Sequence, residues 1–271
     1  MAFAAWLHEK LQDLLVGVHV SGREPSTDPL DGSAEGDVGL RAELGGALAE
    51  AGLAGAFTRV EVIEAIDPVG PLEERCREEG ALGLIIGRVG RESSYAPVRL
   101  GAVARRLLRG LVAPIWVVPP DLRAATIGHG PILVAVTPED ASVGAVRMAA
   151  RLAAALGRQL LFVQVVNDLI QRSSLLPPRE PVKKEKTDEQ REAEAVTRAW
   201  LTDLAVQGPL DVRRGGTLEE ILTAMRRHDP AFVVCGTRRL GMLGRIFSGS
   251  LSSELAAHSS VPVLVVPPDA S

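Results

Sequence analysis

The sequence is poor in cysteine and has no excess of basic charge. Its two cysteines, Cys76 and Cys235, are too few and too isolated for a disulfide framework, so we expect both to remain reduced thiols. Lys and Arg number 30 against 34 Asp and Glu, which gives a net charge of −4. A chain without a basic excess has little means of displacing counterions from a phosphate backbone, and this argues against general nucleic-acid binding.

Long apolar runs are also absent. Hydrophobic residues make up 46% of the 271 positions, yet no uninterrupted run approaches the roughly 20 residues that a membrane-spanning helix needs. Residues 1–10 carry acidic and basic side chains and lack the basic leader of a signal peptide. We therefore expect a cytoplasmic protein with no membrane partner.

The common catalytic and metal-binding motifs do not occur in the sequence. It contains no Gly-x-Ser-x-Gly elbow, no Walker lysine motif and no Gly-x-Gly-x-x-Gly fingerprint. Its five histidines are scattered, and no two of them have the spacing of metal ligands on one helix. These absences predict a protein that is not an enzyme and has no metal site of its own.

What is present is an internal repeat. Residues 113–120 read Ala-Pro-Ile-Trp-Val-Val-Pro-Pro, and residues 261–268 read Val-Pro-Val-Leu-Val-Val-Pro-Pro. Such self-similarity predicts two copies of one structural unit. We assign the first domain to residues 1–120 and the second to residues 131–271, with a polar linker at residues 121–130 between them.

The second copy alternates apolar runs with helical patterns. We predict strands at residues 132–136, 160–166, 210–213, 232–235 and 261–266, and the apolar run at residues 132–136 is typical of a parallel strand that is buried on both faces. This alternation predicts an α/β fold, in which a parallel sheet carries helices on both faces through right-handed crossovers.

Two threonines in the second copy have the pattern of helix starts. Thr137 precedes a proline and two acidic residues, and this predicts that it is the N-cap of the first helix. Thr217 and Glu220 have the spacing of a capping box for the third helix. The polar, proline-rich residues 168–190 predict a loop between the second strand and the second helix.

The first copy is incomplete. Its apolar runs, at residues 14–20, 57–63, 82–86 and 115–118, match strands two to five of the second copy in spacing. Only a helix-like stretch, residues 2–11, precedes them, so the first and central strand is missing. Either another segment takes that position or the strand from Leu14 moves inward. The first copy also has Gly101-Ala102 at the position where the second copy has Gly249-Ser250, so it lacks the serine hydroxyl, and we expect no ligand site there.

A glycine motif follows the fourth strand of the second copy. Gly236-Thr237-Arg238-Arg239 is separated by nine residues from Gly249-Ser250 at the start of a helix. This motif resembles that of the universal stress protein family, a glycine, two residues, a second glycine, nine residues and then Gly-Ser or Gly-Thr. Backbone N–H groups at a glycine turn and at a helix N-terminus favour an anion.

The resemblance implies both a fold and a function. The fold would be two doubly wound parallel-sheet domains in tandem, of the adenine nucleotide alpha hydrolase-like, Rossmann type, with the first strand missing from the first domain. The function would be a stress-response regulator that binds ATP or a related adenine nucleotide, with any Mg²⁺ carried by the nucleotide and at most slow ATP hydrolysis. The implied binding residues are Thr137, Val165, Cys235, Gly236, Thr237, Arg238, Arg239, Gly249, Ser250, Leu251 and Ser252.

Two of these residues depart from the family pattern. Thr137 stands where nucleotide-binding relatives have an aspartate, and Arg239 stands at the second glycine. A threonine offers one neutral hydroxyl in place of a charged acceptor. The alternative function is therefore a tandem scaffold or interaction module that has lost ATP binding. An enzyme or accessory domain on the same fold is a third class, and no sequence feature favours it.

The resemblance also predicts how the two halves associate. In this family the last strands of two copies commonly pair edge to edge, which covers exposed backbone groups. We expect residues 113–118 and 261–266 to pair antiparallel, so that the halves form a pseudo-dimer. A homodimer of whole chains and an unknown protein partner are left open.

Overall fold

The computed structural model describes residues 1–22, 33–50, 52–88, 100–167, 186–237 and 251–268. The strands are β1 (Val16–Ser21), β2 (Arg59–Glu64), β3 (Leu84–Gly87), β4 (Ile115–Val118), β5 (Ile132–Ala135), β6 (Leu160–Val166), β7 (Leu210–Arg214), β8 (Val233–Gly236) and β9 (Val263–Val266). The helices are α1 (Ala2–Leu11), α2 (Ser33–Glu50), α3 (Val69–Glu78), α4 (Ala102–Gly110), α5 (Asp140–Leu156), α6 (Asp188–Asp203), α7 (Thr217–His228) and α8 (Leu251–His258).

Seven of the strands form one sheet, in the order β3-β4-β9-β8-β5-β6-β7. Its neighbouring strands are parallel except at one place, where β4 and β9 run antiparallel. Within the second half, β5 is central, and the chain winds outward from it in both directions. The predicted α/β fold with a doubly wound parallel sheet is confirmed.

Both faces of this sheet are covered, which explains why its inner strands are almost entirely apolar. All four residues of β5 are buried, as are all four of β9. One face packs against α1, α5 and α6, and the other packs against α4, α7 and α8. The two hydrophobic clusters take alternate residues of each strand, because successive side chains of a strand point to opposite faces.

The antiparallel pair β4 and β9 joins the two halves of the chain in one sheet. Trp116 lies opposite Leu264 at its centre. Next to this junction, the guanidinium of Arg88 donates a hydrogen bond of 2.6 Å to the backbone carbonyl of Ser259. Burial lowers the pKa of Arg88 from its usual value. The last strands of the two copies, whose sequences match, therefore pair with each other.

Within the described part of the first half there is no central strand, as predicted, and neither predicted alternative for its position occurs there. Among the described strands, β1 pairs with β2 alone and β3 pairs with β4 alone. Instead, β1 and β2 form a separate two-stranded parallel sheet. Strands β3 and β4 stay with β9, so the first half is split at the position where its central strand would lie.

Two predicted helix caps are wrong. Helix α5 begins at Asp140 with Glu139 as its N-cap, and the backbone N–H of Thr137 instead donates to the hydroxyl of Ser142 at 3.3 Å. Helix α7 has Gly216 as its N-cap, and the Thr217 hydroxyl donates to Asn167 at 2.7 Å. At Thr217 the side-chain oxygen of Asn167 competes for the hydroxyl that was predicted to cap the helix.

Helix ends elsewhere follow the sequence more closely. Gly157, directly after α5, has a φ of 61° and donates a hydrogen bond back to the helix, as glycines at helix ends commonly do. A capping box occurs at the start of α6, where the Thr187 hydroxyl accepts from the backbone N–H of Gln190. The helix therefore begins inside residues 168–190, which were predicted as loop, while residues 168–185 lie outside the described part of the chain.

One polar pair is buried in the core of the second half. The Thr197 hydroxyl of α6 donates to Oε1 of Gln164 on β6 at 2.6 Å, and the Thr197 side chain has no exposed surface. We expect Thr197→Val to lower the free energy of unfolding by about 1–3 kcal/mol, because it leaves a buried acceptor without a donor. Urea unfolding measures this change.

The matched control replaces both members of that pair. Thr197→Val together with Gln164→Leu removes acceptor and donor at once, so we expect most of the lost stability to return. A double variant as unstable as Thr197→Val alone would show that packing at this place matters more than the hydrogen bond.

Within the described ranges, no helix is both long and apolar enough to cross a membrane.

Candidate functional site

The predicted site residues that the structure describes lie at one edge of the sheet. Strands β5, β6 and β8 are parallel neighbours and therefore end at the same edge. Thr137 follows β5 by two residues, Val165 lies near the end of β6, and Cys235 and Gly236 end β8. Ala135 of β5 is in register with both Val163 and Cys235, which brings the three strand ends together.

The N-terminus of α8 reaches the same edge. Helix α8 connects the parallel strands β8 and β9, so it runs back across the sheet and begins where β8 ends. Its first residue, Leu251, is half-buried, and Ser252 is buried. Arg238, Arg239, Gly249 and Ser250 lie outside the described residues. Thr237, the last described residue after β8, is half-buried.

Gly236 is where β8 makes its closest approach to α5. A Cβ atom on this residue would lie 2.2 Å from the backbone oxygen of Ala141, in the first turn of α5. Contacts this short do not occur for real side chains, so only glycine allows β8 to end against that helix. Part of the glycine motif is therefore explained by packing of the protein chain on itself.

The charges at this edge are unevenly distributed. Glu139 and Asp140 are exposed at the N-terminus of α5, where acidic side chains are stabilised by the helix dipole. Their negative charge disfavours a phosphate at that helix. The N-terminus of α8 has no acidic residue until Glu254, in its first turn. Between α5 and α8, which both begin at this edge, α8 is the better place for an anion.

Cys235 lies beneath the edge in the hydrophobic core. Its side chain is 3% exposed, and burial raises the pKa of its thiol to about 12. The thiol is therefore protonated at neutral pH and is not a nucleophile. It packs in the same cluster as Leu133 and Val233, so its contribution to a ligand site is limited to apolar contact through the strand end.

Sequence reasoning missed two polar residues at this edge. Asn167 directly follows β6, is exposed, and accepts the hydrogen bond from Thr217 that fixes the start of α7. Ser142 is 5% exposed and accepts from the Thr137 N–H. A polar residue immediately after a buried strand is the signal that would have indicated Asn167. Ser142 has no such signal, because its role depends on the turn before α5.

No group of metal-ligating side chains occurs among the described residues. The arrangement at this edge offers backbone N–H groups, the hydroxyls of Thr137 and Thr237, and the amide of Asn167. Such groups bind and orient a polar ligand.

Comparison with known proteins agrees with this fold. A family model described as the universal stress protein family matches residues 129–267, just over half of the chain. Universal stress proteins of Mycobacterium tuberculosis and Mycobacterium bovis are 28% identical to it over 178 residues, which cover 64% of this chain. The chain spans 60% of the length of those curated relatives.

A shorter match and a solved structure complete the comparison. The stress response protein NhaX of Bacillus subtilis is 33% identical over 79 residues, 29% of this chain and 48% of its own. A universal stress protein from Archaeoglobus fulgidus has a TM-score of 0.67 and 18% identity, over 98% of this chain and 93% of that one. At such low identity the likeness shows the fold alone. The glycine motif, the sheet order and the matched family model together show that the chain belongs to the universal stress protein family.

Proposed function

We propose that the second half, residues 131–271, binds ATP or a related adenine nucleotide and acts as a nucleotide-linked regulator in a stress response. One observation carries the proposal: β5, β6 and β8 end at the edge where α8 begins. A crevice at the carboxyl ends of parallel strands, beside the central strand, is where sheets of this type hold ligands. The curated relatives are named as stress proteins.

The chemistry of this edge fits the phosphates of a nucleotide better than a neutral ligand. Backbone N–H groups after Gly236 and at the start of α8 would hold phosphate oxygens, and the helix dipole favours their charge. The sequence also has Arg238 and Arg239 after β8, and a guanidinium group is suited to bidentate pairing with phosphate oxygens. The apolar ends of β6 and β8, at Val165 and Cys235, suit the base. We assign no catalytic residue.

A second candidate function is a scaffold without nucleotide, and two observations favour it. Gly236 is explained by its contact with Ala141 alone, and Thr137 lacks the charge of the family's aspartate. In this function the antiparallel pairing of β4 with β9 is the essential feature, because it holds the two halves together as a tandem pseudo-dimer. The surfaces of that pseudo-dimer would bind a protein partner or a second chain.

Equilibrium binding of a fluorescent ATP analogue separates the two functions. We expect saturable binding of the analogue by the unchanged chain. Thr137→Asp should bind it about tenfold more tightly, because a hydrogen bond to a charged carboxylate is stronger than one to a neutral hydroxyl by about 1–2 kcal/mol. Thr137→Val keeps the shape without the hydroxyl and should bind more weakly than the unchanged chain.

Ser250→Ala tests the helix end of the same site and should also weaken binding. If neither the unchanged chain nor Thr137→Asp shows saturable binding at millimolar nucleotide, the nucleotide function fails and the scaffold remains. A turnover assay with ATP on the same samples tests the expectation that hydrolysis is slow at most.

A further inference from the structure

A cleft lies between α3 and the turn that joins α4 to β4. Its volume is about 290 Å³, close to the lower end of the range of about 300–1,000 Å³ that is usual for small-molecule sites. It is partly open to solvent, and its lining is mostly apolar. The lining includes Glu73, Cys76, Arg77, Ala81, Val112 and Ala113. A space of this size and character suits a small ligand with an apolar body.

One side of the cleft is a face of α3. Glu73, Cys76 and Arg77 lie at positions i, i+3 and i+4 of this helix, and side chains with that spacing are neighbours on one face. The Cys76 side chain is buried, that of Glu73 is half-buried and that of Arg77 is exposed. The face therefore places a thiol in the interior of the cleft and two opposite charges nearer the solvent.

The other side is the turn after α4, which has an uncommon backbone conformation. Leu111 has a φ of 34°, in the left-handed region that residues other than glycine rarely adopt. Val112 and Ala113 follow it and line the cleft, and Val112 is 47% exposed although it is apolar. At the end of α4, a Cβ atom on Gly110 would lie 2.6 Å from Oε1 of Glu73. Residues in rare backbone conformations recur at ligand sites.

Glu73 and Arg77 have the spacing of a helical ion pair, but they do not form one. Glutamate and a basic residue four positions apart on a helix commonly pair. Neighbouring Arg75 does so with other acids, at 2.5 Å from Glu61 and 2.9 Å from Glu78. Neither Glu73 nor Arg77 makes a hydrogen bond or an ion pair with another residue in the described ranges. A carboxylate and a guanidinium group thus border the cleft without protein partners there.

The matching helix of the second half has neither the thiol nor the basic charge. Both α3 and α7 carry Leu-Glu-Glu near their start, and this alignment puts Leu222 and Thr223 at the positions of Cys76 and Arg77. Leu222 packs against the hydrophobic core, and the Thr223 hydroxyl donates to the backbone of its own helix at 2.8 Å. The first half therefore has a smaller side chain where the second has leucine, and a charge where the second has a neutral hydroxyl.

We propose that this cleft binds a free α-amino acid with an aliphatic side chain of about the size of leucine. The Glu73 carboxylate accepts from the α-ammonium group, and Arg77 donates to the α-carboxylate, which a guanidinium group can hold bidentately. The aliphatic side chain packs against Cys76, Ala81 and Ala113. Because Glu73 and Arg77 are one helical turn apart, about 5–6 Å between Cβ atoms, a ligand that carries both charges on one carbon can reach both. A ligand with one charge satisfies only one of them.

The cleft is distinct from the nucleotide site of the proposed function, although it lies at the same edge of the sheet. Ala113 comes two residues before Ile115, which lies opposite Val265 on β9, and Val265 is in register with Cys235 on β8. The start of β4 is therefore beside the ends of β9 and β8. All of the lining residues belong to the first half, so the amino acid should bind to protein that carries no nucleotide.

Isothermal titration calorimetry of L-leucine into the nucleotide-free whole chain tests the proposal. We expect saturable binding with a Kd at or below about 1 mM, a realistic affinity for a ligand this small. Two analogues are the matched ligands, since 4-methylpentanoate lacks the ammonium group and 3-methylbutylamine lacks the carboxylate. Each should bind about tenfold more weakly than leucine, or less, because one charged side chain then has no partner.

Two substitutions on α3 test the same contacts from the side of the protein. Glu73→Gln and Arg77→Gln should each weaken leucine binding about tenfold. Glu73→Gln should not weaken the binding of 4-methylpentanoate, which has no ammonium group to lose. The matched controls are Glu74→Gln and Arg109→Gln, which remove the same charges from exposed residues outside the lining of the cleft. Both should bind leucine as the unchanged chain does.

The thiol of Cys76 reports where leucine binds. Burial raises the pKa of this thiol, so its alkylation by N-ethylmaleimide is followed in mildly alkaline solution, by mass spectrometry. At a leucine concentration of about four times the Kd, alkylation of Cys76 should be about fivefold slower, in proportion to occupancy. Cys235 is buried in the core and serves as the internal reference, because it should react only when the protein unfolds.

Three results would overturn the proposal. The first is the absence of saturable leucine binding up to about 10 mM. The second is equal binding of leucine and either analogue with one charge, or equal binding of leucine by the unchanged chain, Glu73→Gln and Arg77→Gln. The third is leucine binding that leaves the alkylation rate of Cys76 unchanged, which would place the ligand elsewhere. None of these results depends on whether the second half binds a nucleotide.

Discussion

Replacing Gly236 with alanine will lower the free energy of unfolding by about 3 kcal/mol in protein that carries no nucleotide. The added Cβ would lie 2.2 Å from the backbone oxygen of Ala141, and a backbone atom in the first turn of α5 cannot turn aside as a side chain can. Either β8 or α5 must shift within a closely packed core. Urea unfolding of nucleotide-free protein measures the change.

Gly46→Ala is the matched control for this substitution. Gly46 lies in the exposed interior of α2, and no atom lies within 4 Å of the position its Cβ would take. We expect a gain of about 0.5–1 kcal/mol there, because alanine favours a helix. If Gly236→Ala is as stable as the unchanged chain, the packing explanation is wrong, and any loss of ligand binding is a direct effect on the site.

Replacing Phe3 with alanine will lower the free energy of unfolding by about 3–5 kcal/mol. Phe3 is 1% exposed, although it lies at the second position of α1. Its ring lies 5.1 Å from that of Trp116 on β4 and 6.5 Å from that of Phe232, with both distances between ring centroids. The ring thus holds a helix of the first half against the second half, and its loss leaves a cavity between them.

The fluorescence of Trp6 and Trp116 follows this change, because both rings pack against Phe3. Phe3→Leu keeps most of the volume and should cost less than about 1.5 kcal/mol. Unfolding of the two halves in separate transitions in Phe3→Ala would agree with the bridging role. Equal stability of the alanine and leucine variants would show that α1 does not depend on this contact.

The strands of the second half were the most predictable part of the fold. Strand β6 begins and ends at the predicted residues, 160 and 166, because a parallel strand buried on both faces leaves an uninterrupted apolar run between polar turns. The β8 and β9 boundaries differ from the prediction by one or two residues, since apolar residues continue beyond the paired backbone. The apolar pattern of the sequence predicts which residues are buried, whereas backbone hydrogen bonding determines where each strand begins and ends.

The strand ends that form the candidate edge were predictable from the sequence, and the contacts made there were not. The spacing of the glycine motif placed the site after the fourth strand of the second half. No local pattern indicates that Gly236 meets Ala141, because those residues are distant in sequence and become neighbours only when β8 lies beside β5. The contact of Thr217 was not predictable for the same reason, because its hydroxyl donates to Asn167, which is distant in sequence, and does not cap its own helix.

The direction of β4 relative to β9 determines the geometry of the whole molecule. Because the two strands are antiparallel, the carboxyl ends of β3 and β4 lie at the opposite end of the sheet from those of β5 and β8. Since both strands belong to one polypeptide, their encounter is intramolecular and does not weaken on dilution. A cell that makes this chain obtains two unlike halves in a fixed ratio at any level of expression, which separately encoded subunits do not guarantee.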